Sequence, residues 1–231
     1  MNTTAKLSVI SGKHKANKHI RGYSDFYESL FSPVRDGSIK ILEIGIWQGG
    51  SLKMWKEFFP NGKVFGIDIH KSAIDTVKGE DRIQGFICDQ SNRNQLQALM
   101  KQIGPVDIIL DDGSHVMKHQ QISLATLFPF VKPGGVYCIE DVHTSNPLYP
   151  TALGEKDATK ILKLGANYGV AANLMNTTHM MLYIYQRLKR FDSIYLTRQE
   201  LDYLDDNVES VEIAELQVSS ITSAIRKRIN A

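Results

Sequence analysis

The sequence predicts an α/β fold built on a doubly wound, mostly parallel seven-stranded sheet with helices on both faces. Three observations support this prediction. Short apolar runs alternate with amphipathic stretches between residues 40 and 139, as repeated strand–helix–strand units require. The apolar runs are continuous, which is typical of parallel strands buried on both faces. Each amphipathic stretch ends at glycine or proline, where helices stop.

The individual elements follow in chain order. Aromatic residues at helical spacing before residue 40 indicate one or two helices lying over the sheet. The central pattern predicts parallel strands at 40–44, 63–67, 83–88, 106–110 and 135–139, with helices at 51–59, 94–103 and 117–130. Residues 151–190 are predicted to be largely helical, and 191–197 and 208–214 to be antiparallel edge strands. Right-handed crossovers would join these units into a Rossmann-like sheet.

Length favours a single domain. A chain of 231 residues suits one large α/β domain and is rather short for two. We expect a helical cap at residues 1–39, a ligand-binding core at 40–145 and an acceptor-side region at 146–231. The oligomeric state is left open, with a homo-oligomer as one alternative.

Charge and cysteine content restrict the classes of partner. The formal net charge of +2 is too small to favour nucleic acid, and the basic stretches 13–21 and 226–228 are interpreted as solvated ends. No apolar run reaches the length of a signal peptide core or a membrane span, so a cytoplasmic location is expected. Cys88 and Cys138 fall in predicted buried strands, which favours reduced, packed thiols in a reducing compartment.

Acidic residues follow the fourth and fifth predicted strands. Residues 108–115 read I-I-L-D-D-G-S-H, and the next strand ends in Glu140-Asp141, with His143 shortly after. Ligands of open α/β sheets bind beyond the carboxyl ends of the strands, so these side chains should share one crevice. Several carboxylates beside a histidine suit a hard divalent cation with a general base. The alternative is a set of helix N-caps and solvated loop residues, and two clusters at adjacent strand ends favour the binding site.

A glycine-containing loop follows the first strand. It reads E-I-G-I-W-Q-G-G-S from residue 43 to 51, which is neither the dinucleotide fingerprint nor a phosphate-binding P-loop. An acid before the first glycine, Glu43, would repel a pyrophosphate but suits a cationic ligand, so S-adenosylmethionine is favoured over NAD or ATP. Asp68, at the end of the second strand, is placed to bind the ribose hydroxyls, and Asp89-Gln90 after the third strand to meet the adenine.

These motifs together carry a family resemblance. The segments E-I-G-x-x-x-G-G-S-L, G-I-D-I, D-Q-S, G-P-V-D-I-I-L-D-D-G-S-H and L-F-P-x-V-K-P-G-G-V-Y-x-I-E-D resemble class I S-adenosylmethionine-dependent O-methyltransferases. The metal-dependent macrolide-sugar methyltransferases of the mycinamicin and macrocin type are the nearest match, and cephalosporin hydroxylase-like proteins are looser relatives. The resemblance covers residues 22–145. The chain is expected to lack the separate N-terminal domain of some relatives, and the region after residue 146 matches no motif.

The resemblance also implies roles for individual residues. Asp112, Glu140 and Asp141 would bind magnesium, His115 would be the base, and Asp111 would lie beside the cofactor. His143 is the reserve base. The alternative for His115 is a capping or buried hydrogen-bonded histidine, and for His143 a surface loop histidine. The predicted cofactor-binding residues are Glu43, Gly45, Gly49, Ser51, Asp68, Asp89, Gln90 and Asp111.

The function that follows is a metal-dependent O-methyltransferase acting on a sugar hydroxyl of a glycosylated secondary metabolite. Its partners would be S-adenosylmethionine, magnesium or another divalent cation, and a small-molecule acceptor, with no nucleic acid and no membrane. A catechol-type acceptor would use the same diol chemistry. A methyltransferase-like binding subunit without catalytic activity is the alternative from another class.

Overall fold

A computed structural model describes residues 5–145, 177–217 and 220–230 of the chain. Within these residues seven strands form one sheet in the order β3-β2-β1-β4-β5-β7-β6. The first five strands are parallel, and β7 runs antiparallel to both β5 and β6. The predicted doubly wound, mostly parallel sheet is therefore confirmed. The strands are β1 (Lys40–Ile44), β2 (Lys63–Asp68), β3 (Ile83–Ile87), β4 (Val106–Asp111), β5 (Val131–Ile139), β6 (Val208–Glu215) and β7 (Ile221–Lys227).

Helices cover both faces of the sheet. The described helices are α1 (Leu7–Lys13), α2 (Tyr23–Phe31), α3 (Gly50–Phe58), α4 (Lys71–Asp75), α5 (Arg93–Ile103), α6 (Met117–Leu127), α7 (Thr178–Leu188) and α8 (Arg198–Asn207). Short 3-10 turns lie at Ser32–Val34, Phe128–Phe130 and Val142–Ser145. Helices α1 and α2 confirm the helical segment predicted before residue 40. Most of the predicted helical region 151–190 lies outside the described residues, and α7 is the helical part that is described.

Two hydrophobic cores lie on opposite faces of the sheet. Successive residues of β1 divide between them, because Leu42 packs into one core and Ile41 into the other. The aromatic residues of α2 and α3 fill the second core, where Tyr27 and Trp55 are fully buried. Burial of this kind on both faces explains why the central strands read as continuous apolar runs.

The register of the central strands brings the loops of interest to one edge. Ile44 of β1 pairs with Asp111 of β4, and Asp111 pairs with Ile139 of β5. The residues that follow these three positions therefore leave the sheet side by side. The glycine loop, the D-D-G-S-H loop and the Glu140-Asp141 pair begin at this edge.

The C-terminal region differs from the prediction in two places. Residues 191–197 are not a strand, because side chains satisfy the backbone there: the Phe191 N–H donates to Asp205 Oδ1 at 2.6 Å, and the Tyr195 N–H to Ser193 Oγ at 3.0 Å. The second antiparallel strand is instead β7, which the sequence analysis did not predict. The last residues of β7 belong to the stretch 226–228, which was predicted to be a solvated basic end. Lys227 is instead buried, and its ammonium donates to main-chain oxygens of the Phe128–Phe130 turn.

The remaining composition-based predictions concern thiols and membranes. Cys88 and Cys138 are both free thiols and both buried, as expected from their place in apolar strands. Among the helices that the structure describes, none has the length and apolar character needed to cross a bilayer.

Candidate active site

A cavity of about 1100 Å³ opens at the carboxyl edge of the parallel strands. Its volume is slightly above the range of about 300 to 1,000 Å³ that is usual for small-molecule sites. Its walls come from the ends of all five parallel strands and from the connection between α1 and α2. The lining includes Gly45, Ser51, Asp68, Asp89, Gln90, Asp112, His115, Glu140 and Asp141, which are predicted site residues.

The glycine loop lies directly against the D-D-G-S-H loop. Gly45 has φ of 95°, and a Cβ there would lie 2.3 Å from the main-chain oxygen of Asp112. Only glycine combines this backbone conformation with such a close approach. Gly49 begins α3 in a left-handed conformation but does not line the cavity. Gly45 therefore allows the two loops to meet at one wall of the cavity.

Asp68 fixes the glycine loop from the end of β2. Its Oδ2 accepts hydrogen bonds from the N–H groups of Ile46 at 3.0 Å and Trp47 at 3.1 Å, and its Oδ1 accepts from His70 N–H at 2.9 Å. A carboxylate has about four acceptor positions, so this side chain can still accept from a ligand hydroxyl. The structure thus gives Asp68 a structural role in addition to the predicted ribose contact.

The end of β3 contributes a second polar cluster. Gln90 donates to Asp111 Oδ1 at 3.0 Å and accepts from the Ser114 N–H at 2.6 Å, so it links the third and fourth strand ends. Asp89 accepts from the Ser91 N–H and hydroxyl. Burial opposes ionisation of Asp89, but these hydrogen bonds leave its pKa below the usual value. Asp89 is therefore an anionic acceptor at the cavity wall.

Asp111 is the first acid of the D-D pair and lies behind the cavity wall. It is fully buried and accepts from Ser123 Oγ at 2.8 Å and from Tyr137 Oη at 3.3 Å. Burial raises its pKa, although the hydrogen bonds oppose the shift. Glu43 is likewise fully buried and absent from the lining. For both acids a direct cofactor contact stays a prediction, and neither side chain lines the cavity.

Three partly buried donors converge at the other end of the cavity. Asp112, His115 and Asp141 each offer one ligand atom, and these atoms all lie within 4.8 Å of one another. His115 Nε2 is 3.6 Å from Asp141 Oδ2. His115 and Asp141 have positive φ values of 57° and 51°. Non-glycine residues in this conformation concentrate at binding and catalytic sites. Two carboxylates and open cavity space fit a magnesium ion, which takes oxygen ligands and keeps several waters.

Lys18 enters this acidic cluster from the connection between α1 and α2. Its Nζ lies 2.6 Å from Glu140 Oε1, 3.0 Å from Asp112 Oδ2 and 3.6 Å from Glu43 Oε1, and the side chain is 3% exposed. Burial alone would lower the pKa of Lys18, but the surrounding carboxylates raise it well above its usual value. The interpretation of residues 13–21 as a solvated basic end is therefore wrong at Lys18.

The predicted ligand Glu140 has a different environment from Asp141. Burial and the charge of Asp112 raise the pKa of Glu140 well above its usual value, although Lys18 opposes the shift. Burial would also raise the pKa of Asp141, but the neighbouring histidines and a hydrogen bond from Tyr23 lower it overall. Asp141 is thus the more firmly anionic of the two.

Tyr23 and Arg21 complete the wall around Asp141. Tyr23 Oη donates to Asp141 Oδ1 at 2.5 Å, and Arg21 Nη1 lies 3.5 Å from the same oxygen. Neither residue was predicted from the sequence, and neither was Lys18. The polar tip of a tyrosine on an amphipathic helix carries no local signal that distinguishes it from a core aromatic.

His143, the predicted reserve base, lies outside the cavity lining. Its Nδ1 accepts the Ile221 N–H at 3.0 Å, and its Nε2 is 3.9 Å from Asp141 Oδ1. Burial lowers its pKa to about 4, although Asp141 opposes the shift. The ring is neutral at pH 7, with its proton on Nε2, because Nδ1 accepts a backbone hydrogen bond. This geometry favours a supporting position beside Asp141, and a role as base stays a prediction.

The strand order, the antiparallel β7 and the glycine loop after β1 define the methyltransferase class of Rossmann-like folds. The family model described as a methyltransferase domain matches residues 38–186. The chain therefore belongs to the methyltransferase domain family.

Individual relatives are similar over much of the chain. Mycinamicin VI 2''-O-methyltransferase of Micromonospora griseorubida is 36% identical over 180 residues, which cover 74% of this chain and 43% of that protein. Demethylmacrocin O-methyltransferase of Streptomyces fradiae is 40% identical over 170 residues, covering 68% of this chain and 42% of that protein. The MycE methyltransferase in complex with Mg, SAH and mycinamycin VI superposes with a TM-score of 0.70 at 28% identity, covering 98% and 55% of the two chains. The chain thus spans about half the length of the relatives that it matches.

Proposed function

We propose that this protein transfers the methyl group of S-adenosylmethionine to a sugar hydroxyl of a glycosylated small molecule, with a divalent metal ion at the acceptor side. One observation carries the proposal: a single cavity joins the glycine loop and Asp68 to the convergent donors Asp112, His115 and Asp141. Cofactor and acceptor must meet within one site for an in-line displacement. The named activities of the similar proteins support the same acceptor class.

The cofactor would occupy the β1–β3 side of the cavity. Asp68 would accept the ribose hydroxyls, and Asp89 with Gln90 would border the base. Ser51 and Gly45 line the same wall, where the loop main chain comes within reach of a ligand. The sulfonium end would then point toward Asp112, because the glycine loop and the D-D-G-S-H loop are in contact at Gly45.

The metal would be held at the β4–β5 side by Asp112, Asp141 and Glu140. A bound divalent ion would orient two hydroxyl groups of the acceptor and stabilise the negative charge that develops on the reacting oxygen. His115 would accept the proton of the reacting hydroxyl, since magnesium prefers oxygen ligands and leaves the imidazole available as a base. The 3.6 Å separation of His115 Nε2 from Asp141 Oδ2 places an anionic group where it would stabilise the resulting imidazolium.

The direct test is methyl transfer from labelled S-adenosylmethionine to a panel of acceptors. The panel contains glycosylated macrolides and aromatic polyketides, their aglycones, free sugars and simple catechols, each with magnesium and with EDTA. We expect label on the glycosides in the presence of magnesium and none on the aglycones. Faster labelling of catechols than of glycosides would indicate a catechol acceptor in place of the sugar. Binding of S-adenosylhomocysteine without labelling of any acceptor would contradict the proposed catalytic activity.

A further inference from the structure

Lys18 is a buried cation whose partners come from three separate strand ends. Its ammonium contacts Glu43 at the end of β1, Asp112 after β4 and Glu140 after β5. A lysine side chain that is 3% exposed is stable only where opposite charges compensate the loss of hydration. The connection between α1 and α2 is therefore shaped to deliver one positive charge to this cluster.

When fully ionised, the carboxylates around Lys18 outnumber the neighbouring cations. The acidic cluster contains four carboxylates: Glu43, Asp112, Glu140 and Asp141. Lys18 contacts the first three, and the half-exposed Arg21 lies near Asp141. Tyr23 and Tyr27 also face the cluster and donate to Asp141 and Glu140, and the imidazoles of His115 and His143 lie near Asp141. Like charges this close are costly in a partly buried site.

The contacts of Lys18 use one oxygen each of Asp112 and Glu140, which are two of the three predicted metal ligands. Nζ bonds Oδ2 of Asp112 and Oε1 of Glu140. Each carboxylate has a second oxygen, so a metal could bind both residues without displacing the ammonium. The two cations would then share the same carboxylates from different sides. Their mutual repulsion would weaken the binding of the metal.

We propose that Lys18 is a built-in counter-cation of the metal site, which keeps the acidic cluster folded when no metal is bound and lowers the affinity for the divalent ion. The inference rests on the proposed metal site. It explains how several acids can converge before a metal binds.

The test compares Lys18→Met, Lys18→Arg and the control Lys13→Met. Lys13 is in the adjacent helix α1 and forms an exposed ion pair with Glu57. The substitution Lys13→Met therefore removes the same charge outside the cavity. Two quantities are measured: the melting temperature in EDTA, and Mn²⁺ affinity by electron paramagnetic resonance. We expect Lys18→Met to melt about 5 °C lower in EDTA, and to bind Mn²⁺ about tenfold more tightly. Lys18→Arg and Lys13→Met should stay close to the wild type.

Unchanged or weaker Mn²⁺ binding by Lys18→Met would overturn the inference. If that variant does not fold in EDTA, the double variant Lys18→Met/Glu140→Gln removes one charge of each sign and should regain metal-free stability. A double variant no more stable than Lys18→Met would also overturn the inference. Absence of Mn²⁺ binding to the wild-type protein would instead refute the metal site, while the melting temperatures in EDTA would still decide the role of Lys18.

Discussion

The acidic side chains at the two ends of the cavity have different kinds of hydrogen-bond partner. At the cofactor end, Asp68 and Asp89 accept hydrogen bonds from the main chain of neighbouring loops. At the acidic end, Asp112 and Glu140 are paired with Lys18, which is 94 and 122 residues away in sequence. The cofactor end thus relies on main-chain donors at most 22 residues away in sequence, and the acidic end on ion pairs between more distant side chains. This difference predicts that the two ends can be perturbed separately.

The largest expected effect is at the proposed base. His115→Ala should lower turnover by about 10² to 10⁴ because general base catalysis is lost. Affinity for S-adenosylhomocysteine should stay unchanged, since Asp68 and Asp89 lie at the other end of the cavity. Turnover and calorimetric titration on the same preparation measure both quantities.

His115→Gln and His143→Gln refine this prediction. Glutamine keeps a polar side chain but cannot accept a proton near neutrality, so His115→Gln should be as slow as His115→Ala. A nearly normal rate would assign proton removal to another group. His143→Gln is the matched control, and a loss at His143 as large as that at His115 would contradict the assignment of the base.

Gly45 joins the two ends, and its substitution should affect both. Gly45→Ala places a Cβ 2.3 Å from the Asp112 oxygen at a φ of 95°. We expect it to cost about 3 kcal/mol of unfolding free energy, as the sum of left-handed strain and steric displacement. Gly79→Ala is the control, because Gly79 has φ of 83° but open space around its Cβ position. It should cost only about 1 kcal/mol in chemical denaturation, and equal losses for the two variants would refute the close approach.

Acid should destabilise the acidic end through His143. Its pKa in the folded state is about 4, below the ordinary value of 6.5, so the unfolded chain binds more protons in this range. The contribution of the neutral His143 ring to the free energy of unfolding is therefore complete above about pH 6.5, and it is lost as the pH falls toward 4. Between pH 7 and pH 5 the wild type should lose about 2 kcal/mol more than His143→Gln, as measured by urea unfolding. Parallel pH dependence of the two proteins would contradict a buried neutral ring.

The smallest expected effect is confined to the cofactor end. Asp68→Ala should weaken S-adenosylmethionine binding by about 1 to 3 kcal/mol, because ribose hydroxyls and loop N–H groups lose their acceptor. The affinity for Mn²⁺ should be unaffected. Calorimetry that shows normal cofactor affinity in this variant would remove Asp68 from the cofactor site.

Local patterns allowed much of the fold and of the cofactor end to be predicted. Short apolar runs predicted the positions of β1 to β5, with Asp68 at the end of β2 and Asp89 two residues after β3. The edge strand at 191–197 was wrong because apolar spacing cannot show that Asp205 and Ser193 satisfy that backbone. The capping box of Thr197 and Glu200 is a sequence pattern that indicates the start of helix α8.

The acidic end shows where sequence information stops. Asp112 and Glu140 could be placed at adjacent strand ends, because consecutive strands of such sheets usually lie side by side. Lys18 could not be placed there, since one lysine in a basic turn looks the same whether it is solvated or buried. The excess of carboxylates at one edge was the available physical signal, because such a cluster requires a counter-charge.

Metal removal tests most directly whether the cavity has two separable ends. On one preparation, S-adenosylhomocysteine affinity and methyl transfer are measured with magnesium and then with excess EDTA. Because the hydrogen bonds of Asp68 and Asp89 all lie outside the acidic cluster, cofactor affinity should change by no more than about threefold, or about 0.5 kcal/mol, while turnover falls to background. Cofactor affinity that collapses with the metal, or turnover that persists in EDTA, would contradict this account.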